Sequence, residues 1–380
     1  MGLRDFARPM SHHPLSGARS IWTTLHVDPF LLVLLLALLS FGLIILFSGG
    51  DGRIALVKAQ SIRIGLALVV MFVFAQLDPS VYRRWAPWLY GVGLLALVAV
   101  ILFGVGAKGA QRWLALPGLP RFQPSELMKI VVPMTVAWYL SRHFLPPRLS
   151  RVAIALAMVL VPMALIARQP DLGTSVLVAA AGLFVVFFAG IRWRIISAFF
   201  VLVSIAAPLM WFFGMRDYQK QRVLTLLDPE SDPLGAGWNI MQSKTAIGSG
   251  GWSGKGWMQG TQSHLEFLPE SHTDFIVAVL AEEFGFVGIF ALMSLYLLVL
   301  LRCLYIAVNA QDSFSRLLAG ALSMTFFIYV FVNVGMVSGL LPVVGVPLPL
   351  ISYGGTSIVT LMAAFGILMS IHTHRRMIAA

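Results

Sequence analysis

The sequence predicts an all-α integral membrane protein with about ten transmembrane helices and a long extracytoplasmic loop between the seventh and the eighth. Three observations carry that expectation. Of the 380 residues 58% are apolar and only 11% charged, against roughly 25% charged in a soluble domain. The apolar residues fall into runs near 29–48, 58–77, 86–106, 125–141, 152–167, 172–190, 195–213, 275–301, 317–337 and 357–371, most of them near the roughly 20 residues that cross a bilayer. One segment alone, 214–273, is both long and polar.

Residues 1–28 carry Arg4, Arg8 and Arg19 but no apolar stretch, so no cleavable signal precedes the first span and that span is its own targeting signal. The tail, the alternate loops (Arg83, Arg84; Arg142, Arg148, Arg151; Arg192, Arg194; Arg302, Arg316) and the end of the chain (Arg375, Arg376) hold fourteen cations. The short loops of the other side (Arg53, Lys58; Lys108, Arg112, Arg121; Arg168) hold six. By the positive-inside rule both termini are cytoplasmic. This divides the chain into a cytoplasmic tail 1–28, one polytopic domain 29–371 containing the extracytoplasmic loop 214–273, and a cytoplasmic tail 372–380. The net charge of +11 then reads as loop residues facing anionic lipid, not as a nucleic-acid surface. The single cysteine, Cys303, ends an apolar run and reads as a core residue; no intrachain disulfide exists. The eight histidines show no metal-ligand spacing.

The long loop and the start of the next helix hold nine of the 16 acidic residues, among them Glu266, Glu270, Asp274, Glu282 and Glu283. In Ser271-His272-Thr273-Asp274-Phe275 a carboxylate stands where an apolar helix begins. It has two readings: a general base acting on a sugar hydroxyl, or a capping box in which Ser271 and Asp274 tie off the first turn. The two are compatible, because a cap also fixes the carboxylate. Lys108, Arg112 and Arg121 lie at the outer end of a span, followed by Gln123-Pro124-Ser125-Glu126-Leu127-Met128-Lys129. Ser125 is placed to cap that helix, and Glu126 and Lys129, three apart, share a face and either pair or serve a ligand. Arg112 and Lys129 have the chemistry to hold a pyrophosphate. Asp171, in Gln169-Pro170-Asp171-Leu172-Gly173, reads most simply as a helix cap. The Gly-rich piece 248–257 suits a saccharide surface or a tight irregular loop equally. The run Pro342-Val343-Val344-Gly345-Val346-Pro347 cannot continue a helix, and broken backbone at membrane depth lines a cavity or is buried by protein.

An acidic loop outside the cytoplasm is out of reach of nucleotide sugars, so an enzyme there must draw on an activated substrate carried in the lipid. A lipid-linked pyrophosphoryl sugar fits the basic cluster and the apolar grooves.

In combination, Lys108 to Trp113, Phe122 to Glu126, Gln169 to Ser175, Asp228-Pro229-Glu230, Gln242-Ser243 with Ala246 to Gly251, Phe267 to Phe275, Pro342 to Pro347 and Ile351 to Gly355 resemble, in order along about 25–376, the SEDS proteins of bacteria (shape, elongation, division, sporulation). The stretch from Gly254 to Glu266 is more similar to the family's elongation member than to its division member; Pro347-Leu348-Pro349-Leu350 departs from the pattern. The resemblance implies a peptidoglycan glycosyltransferase of the bacterial cytoplasmic membrane. Such an enzyme polymerises lipid II, works with a class B penicillin-binding protein and other elongation-complex proteins, and uses no organic cofactor. It implies Asp274 as the essential residue. Arg112, Lys129, Glu126, Gln123, Ser125, Lys108, Asp171 and His272 are the expected substrate contacts, and a divalent cation (Mg or Mn) is compatible with the chemistry. The alternatives are a lipid II flippase or other transporter, and a non-enzymatic scaffold that activates the penicillin-binding protein. Carriers place ionisable groups near the midplane of interrupted helices; here the acids lie at helix ends.

Overall fold

The computed structural model describes residues 22, 25–107, 110–114, 122–191, 193–215, 217–232, 235–264 and 271–374. Lys108, Arg121, Glu266, Glu270 and most of both tails lie outside the described residues. Helices are α1 (Pro29–Gly49), α2 (Ile54–Gln76), α3 (Pro79–Phe103), α4 (Pro124–Ser141), α5 (Leu149–Arg168), α6 (Leu172–Phe188), α7 (Trp193–Leu209), α8 (Asp217–Leu227), α9 (Ala236–Gly250), α10 (Ile276–Val308), α11 (Ser313–Val337) and α12 (Thr356–Thr373). Every expected apolar run coincides with one of them. Seven (α1, α2, α3, α5, α10, α11 and α12) are long and apolar enough to cross a membrane, which makes this a multi-pass membrane protein. α4 is diluted by Glu126 and Lys129, and α6 and α7 are short. Among the described residues the departures from an all-α chain are a hairpin of β1 (Val105–Ala107) and β2 (Ala110–Trp113) and an isolated bridge between Leu114 and Phe122.

Local chemistry explains where helices start. Asp28, Asp78, Asp171 and Asp312 are N-caps whose carboxylates accept backbone N–H groups of the first turn, and proline fills the first position of α1, α3 and α4, where its missing N–H costs nothing. That proline overturns one expectation. With Pro124 at the first position the cap of α4 is Gln123, without a side-chain cap bond, and Ser125 lies inside the first turn, accepting from Gln123 Nε2 at 3.0 Å.

α4 and α11 are central. α4 packs against α3, α6 and α11, and α12 lies along α2, so Glu126 and Lys129 are buried by protein and not exposed to lipid. Cys303 is buried, as expected.

Segment 214–273 contains α8, α9 and the single turn Thr261–His264. It is docked onto α10, which is interrupted at Gly285, where φ is +62°, a value that strongly favours glycine. In an unbroken helix the carbonyls of Glu282 and Glu283 would accept from residues 286 and 287. Here they accept from Lys255 and Gly256 N–H at 3.0 Å each, while Phe286 and Val287 N–H turn to Gly251 and Trp252 O. Glu282, fully buried, also accepts from Lys255 Nζ (2.7 Å), Thr261 N (2.8 Å) and Gln262 N (2.9 Å). The Gly-rich piece is therefore a brace that satisfies a broken membrane helix.

Candidate active site

Two groups of polar residues meet at one end of the bundle. The first is built on α4, β2 and the start of α6. Asp171 caps α6 as expected, accepting from Thr174 N at 3.3 Å, and its Oδ2 also accepts from Gln123 Nε2 at 3.1 Å. Arg112 of β2 donates through Nη2 to Pro170 O at 2.6 Å, its Nε 3.9 Å from Asp171 Oδ2; that Nε makes no hydrogen bond among the described residues. One turn deeper, Lys129 Nζ lies 2.5 Å from Glu126 Oε1 and 4.8 Å from the centre of the Tyr329 ring. The i,i+3 pairing left open by the sequence is thus formed, with Lys129 only 5% exposed. Glu126 Oε2 has no hydrogen-bond partner among the described residues. A desolvated ion pair with a spare acceptor is a poor stabilising device.

The second group surrounds Asp274. The capping box does not form. α10 starts at Ile276 with Phe275 as its uncapped N-cap, and the Ser271 hydroxyl instead donates to Gly49 O at 2.9 Å. Asp274 sits in the turn before the helix, half-buried, and its backbone is clamped. Asn333 Nδ2 of α11 donates to Asp274 O (2.9 Å) and to Val346 O (2.8 Å). Ser352 Oγ donates to Thr273 O at 2.5 Å and accepts from Leu348 N at 2.8 Å. His272 O accepts from Tyr353 N at 2.9 Å, and the two rings meet edge to face with centroids 5.9 Å apart. The backbone of Pro347 to Leu350 follows a defined path: Leu350 takes φ +63° and Pro349 O accepts from Tyr296 at 2.6 Å.

The non-helical segment 338–355 joins the groups. A Cβ on Gly345 would lie 3.5 Å from Asp274 Oδ2, and one on Gly173, two residues from Asp171, would meet Val344 O at 2.8 Å. Val346 packs with Leu177 of α6 and Tyr329 of α11. The Asp171 cluster and Asp274 are thus separated by the width of one chain segment. The structure brings together Arg112, Gln123, Ser125 and Asp171, then Glu126 with Lys129, then Asp274 with His272; Lys108 falls outside the described residues. Sequence reasoning missed Asn333 and Tyr329. The available signal was a lone amide in an apolar span, which is costly in a membrane unless bonded, with an aromatic four residues earlier on the same face. Among the described residues no three His, Cys, Asp or Glu side chains gather to hold a metal ion.

Comparisons with known proteins agree with this architecture. The family model described as cell cycle protein, covering FtsW, RodA and SpoVE, matches residues 24–377. The peptidoglycan glycosyltransferase MrdB of Escherichia coli K12 is 56% identical over 361 residues, 95% of this chain and 97% of that one. A probable peptidoglycan glycosyltransferase FtsW of Trichlorobacter lovleyi is 37% identical over 360 residues, 90% of this chain and 92% of its own. Among solved structures, a chain from work on the structural coordination of polymerization and crosslinking by a peptidoglycan synthase complex superposes with TM-score 0.81 at 32% identity, covering 92% of this chain and 98% of its own. The rod shape determining protein RodA of Thermus thermophilus gives 0.68 at 31%, covering 91% and 96%. With a family match along nearly its whole length and a relative more than half identical over 95% of it, the chain belongs to the SEDS family of membrane proteins.

Proposed function

We propose that this protein is a peptidoglycan glycosyltransferase that polymerises lipid II at the outer face of the bacterial cytoplasmic membrane during cell elongation, with both termini in the cytoplasm. The names of its relatives support the activity. The observation that carries the chemistry is the placement of Asp274: a half-buried carboxylate on a clamped backbone, across one chain segment from a basic cluster.

In the mechanism that follows, Asp274 takes the proton from the acceptor's GlcNAc 4-hydroxyl as its oxygen bonds to the MurNAc anomeric carbon of the other substrate. The bond from that carbon to the pyrophosphate oxygen breaks with inversion, and undecaprenyl pyrophosphate leaves with the electron pair. Arg112 and Lys129 stabilise the charge that develops there. Glu126 orients Lys129, and Asp171 with Gln123 and Ser125 holds Arg112 and the start of α6 in place. His272, two residues from Asp274, contacts the sugar. A divalent cation used by this reaction would be held largely by substrate phosphates and Asp274; it would supply further charge neutralisation. A class B penicillin-binding protein is the expected partner, consistent with the complex in which a structural neighbour is found.

Asp274→Asn tests this reading. It should abolish strand synthesis from lipid II with the thermal midpoint and partner binding unchanged; wild-type-like strands from the variant overturn it.

A further inference from the structure

Ser352-Tyr353-Gly354-Gly355 precedes α12, and apart from Ser352 and the Tyr353 contacts with His272 it takes no part in the chemistry above. Its surroundings are those of an anion site. α12 begins with Gly355 as N-cap and no side-chain cap, so its first N–H groups and its positive dipole end are available to a ligand. Gly355 is exposed, and a Cβ there would lie 3.8 Å from Nε of Arg63 on α2. The Arg63 guanidinium lies 4.3 Å over the Tyr353 ring; among the described residues it forms no hydrogen bond or ion pair.

Arg63 is within a candidate membrane span, about 14 Å along the helix from Ile54 at 1.5 Å per residue. The start of α2 follows Gly49, which bonds Ser271, so Arg63 is measured from the end that carries Asp274. An arginine at that depth without a carboxylate is costly and marks a functional site. A second observation points the same way. Gln60, three residues earlier on the same face of α2 and 2% exposed, donates Nε2 to Ser352 O at 3.3 Å and leaves Oε1 buried with no partner among the described residues. An acceptor and a guanidinium on one helix face, opposite an uncapped helix start, suit a hydrated phosphate, whose bound water can donate to the acceptor.

The position explains its use. Joining two lipid-linked diphosphates requires countercharge for both. Arg112 and Lys129 serve one from the α4 and α6 side of Asp274; Arg63 stands on the α2 and α12 side, linked to His272 through the Tyr353 ring. We propose that Arg63 and the uncapped start of α12 bind the diphosphate of the acceptor lipid, with Gln60 Oε1 accepting from a water that also donates to the diphosphate. The existence of the anion site rests on this geometry; its assignment to the acceptor rests on the polymerase reading.

The test is a titration of purified, non-polymerising Asp274→Ala protein in maltoside micelles with undecaprenyl pyrophosphate, with lipid II turnover measured in the Asp274 protein. Two molecules should bind per chain, and Arg63→Ala should leave one. Arg63→Lys, which keeps the charge but not the fork, should weaken that site about tenfold and raise KM for lipid II more than it lowers kcat. Unchanged stoichiometry and affinity in Arg63→Ala overturn the site. Should that variant fail to fold, unchanged affinity and KM in Arg63→Lys overturn it equally. Displacement of the Arg63-dependent molecule by excess phosphatidylglycerol assigns the site to a phospholipid headgroup and overturns the acceptor assignment. Absence of strand synthesis by the wild type removes the polymerase reading and the acceptor assignment with it, while an Arg63-dependent loss of binding still carries the anion site.

Discussion

Replacing Asn333 by leucine removes the side chain that holds Asp274 and the segment opposite it in one grip. Asn333 is fully buried, and its amide donates to Asp274 O and Val346 O. Leucine has the same number and branching of side-chain heavy atoms as asparagine, so no cavity is left. One buried carbonyl, that of Val346, and one half-buried, that of Asp274, lose their donor, at up to about 1–3 kcal/mol each. Removing the Asn333 Oδ1, itself buried without a partner among the described residues, offsets about one such increment. The net destabilisation is therefore about 1–3 kcal/mol, concentrated on the two segments that face each other across the active site. A displacement of about 1 Å at a catalytic group costs on the order of a hundredfold in rate. The variant should fold with a lowered thermal midpoint and polymerise labelled lipid II with kcat reduced about 10- to 100-fold, KM moving far less. Asn333→Asp, which sets a carboxylate against two carbonyl oxygens, should be worse on both counts. A folded Asn333→Leu protein with wild-type kcat would show that this bond does not position Asp274. A raised KM at unchanged kcat would move Asn333 from positioning to substrate binding, and would equally refute the reasoning.

Lys129→Met strands the buried Glu126 carboxylate and should cost about 3–5 kcal/mol, read as a lowered thermal midpoint. The double variant Glu126→Gln with Lys129→Met should recover most of that stability without recovering activity. Gly345→Ala adds a Cβ 3.5 Å from Asp274 Oδ2 at a residue with φ +72°; it should lower kcat while leaving partner binding intact, as measured by co-purification. At the opposite end, His26 stacks on His374 with centroids 3.8 Å apart, and burial, then the charge of His374, lowers its pKa from 6.5. A folded pKa below the unfolded one means that the unfolded chain binds more protons in that window, so stability falls as pH drops below about 6.5. The thermal midpoint of wild type should fall more steeply there than that of His26→Gln; equal slopes would remove the stack as the cause.

The spans were legible because lipid-facing helices must be apolar over a fixed length, and Asp171 was legible as a cap because aspartate before a helix has few other uses. The start of α4 was misread because Pro124 takes the first helical position and displaces the cap to Gln123. The Ser271–Asp274 box, one of the two readings left open, does not form because α10 starts four residues later than the motif implies. The Gly-rich brace could not be assigned from sequence, since its partner is a break at Gly285 inside what reads as one continuous apolar run. Asn333, Gln60 and Arg63 were passed over as isolated polar residues within spans. Their meaning lies in what the non-helical segment 338–355 places beside them, and no local pattern encodes that placement.

The most direct test of the central claim is polymerisation of labelled lipid II by the purified protein, alone and with its penicillin-binding partner, with strand length and released undecaprenyl pyrophosphate measured together. The account predicts long strands and one pyrophosphate released per sugar linkage from wild type, and neither from Asp274→Ala. Strands made by the variant, or bound lipid II left unpolymerised by an intact wild-type complex, would contradict it.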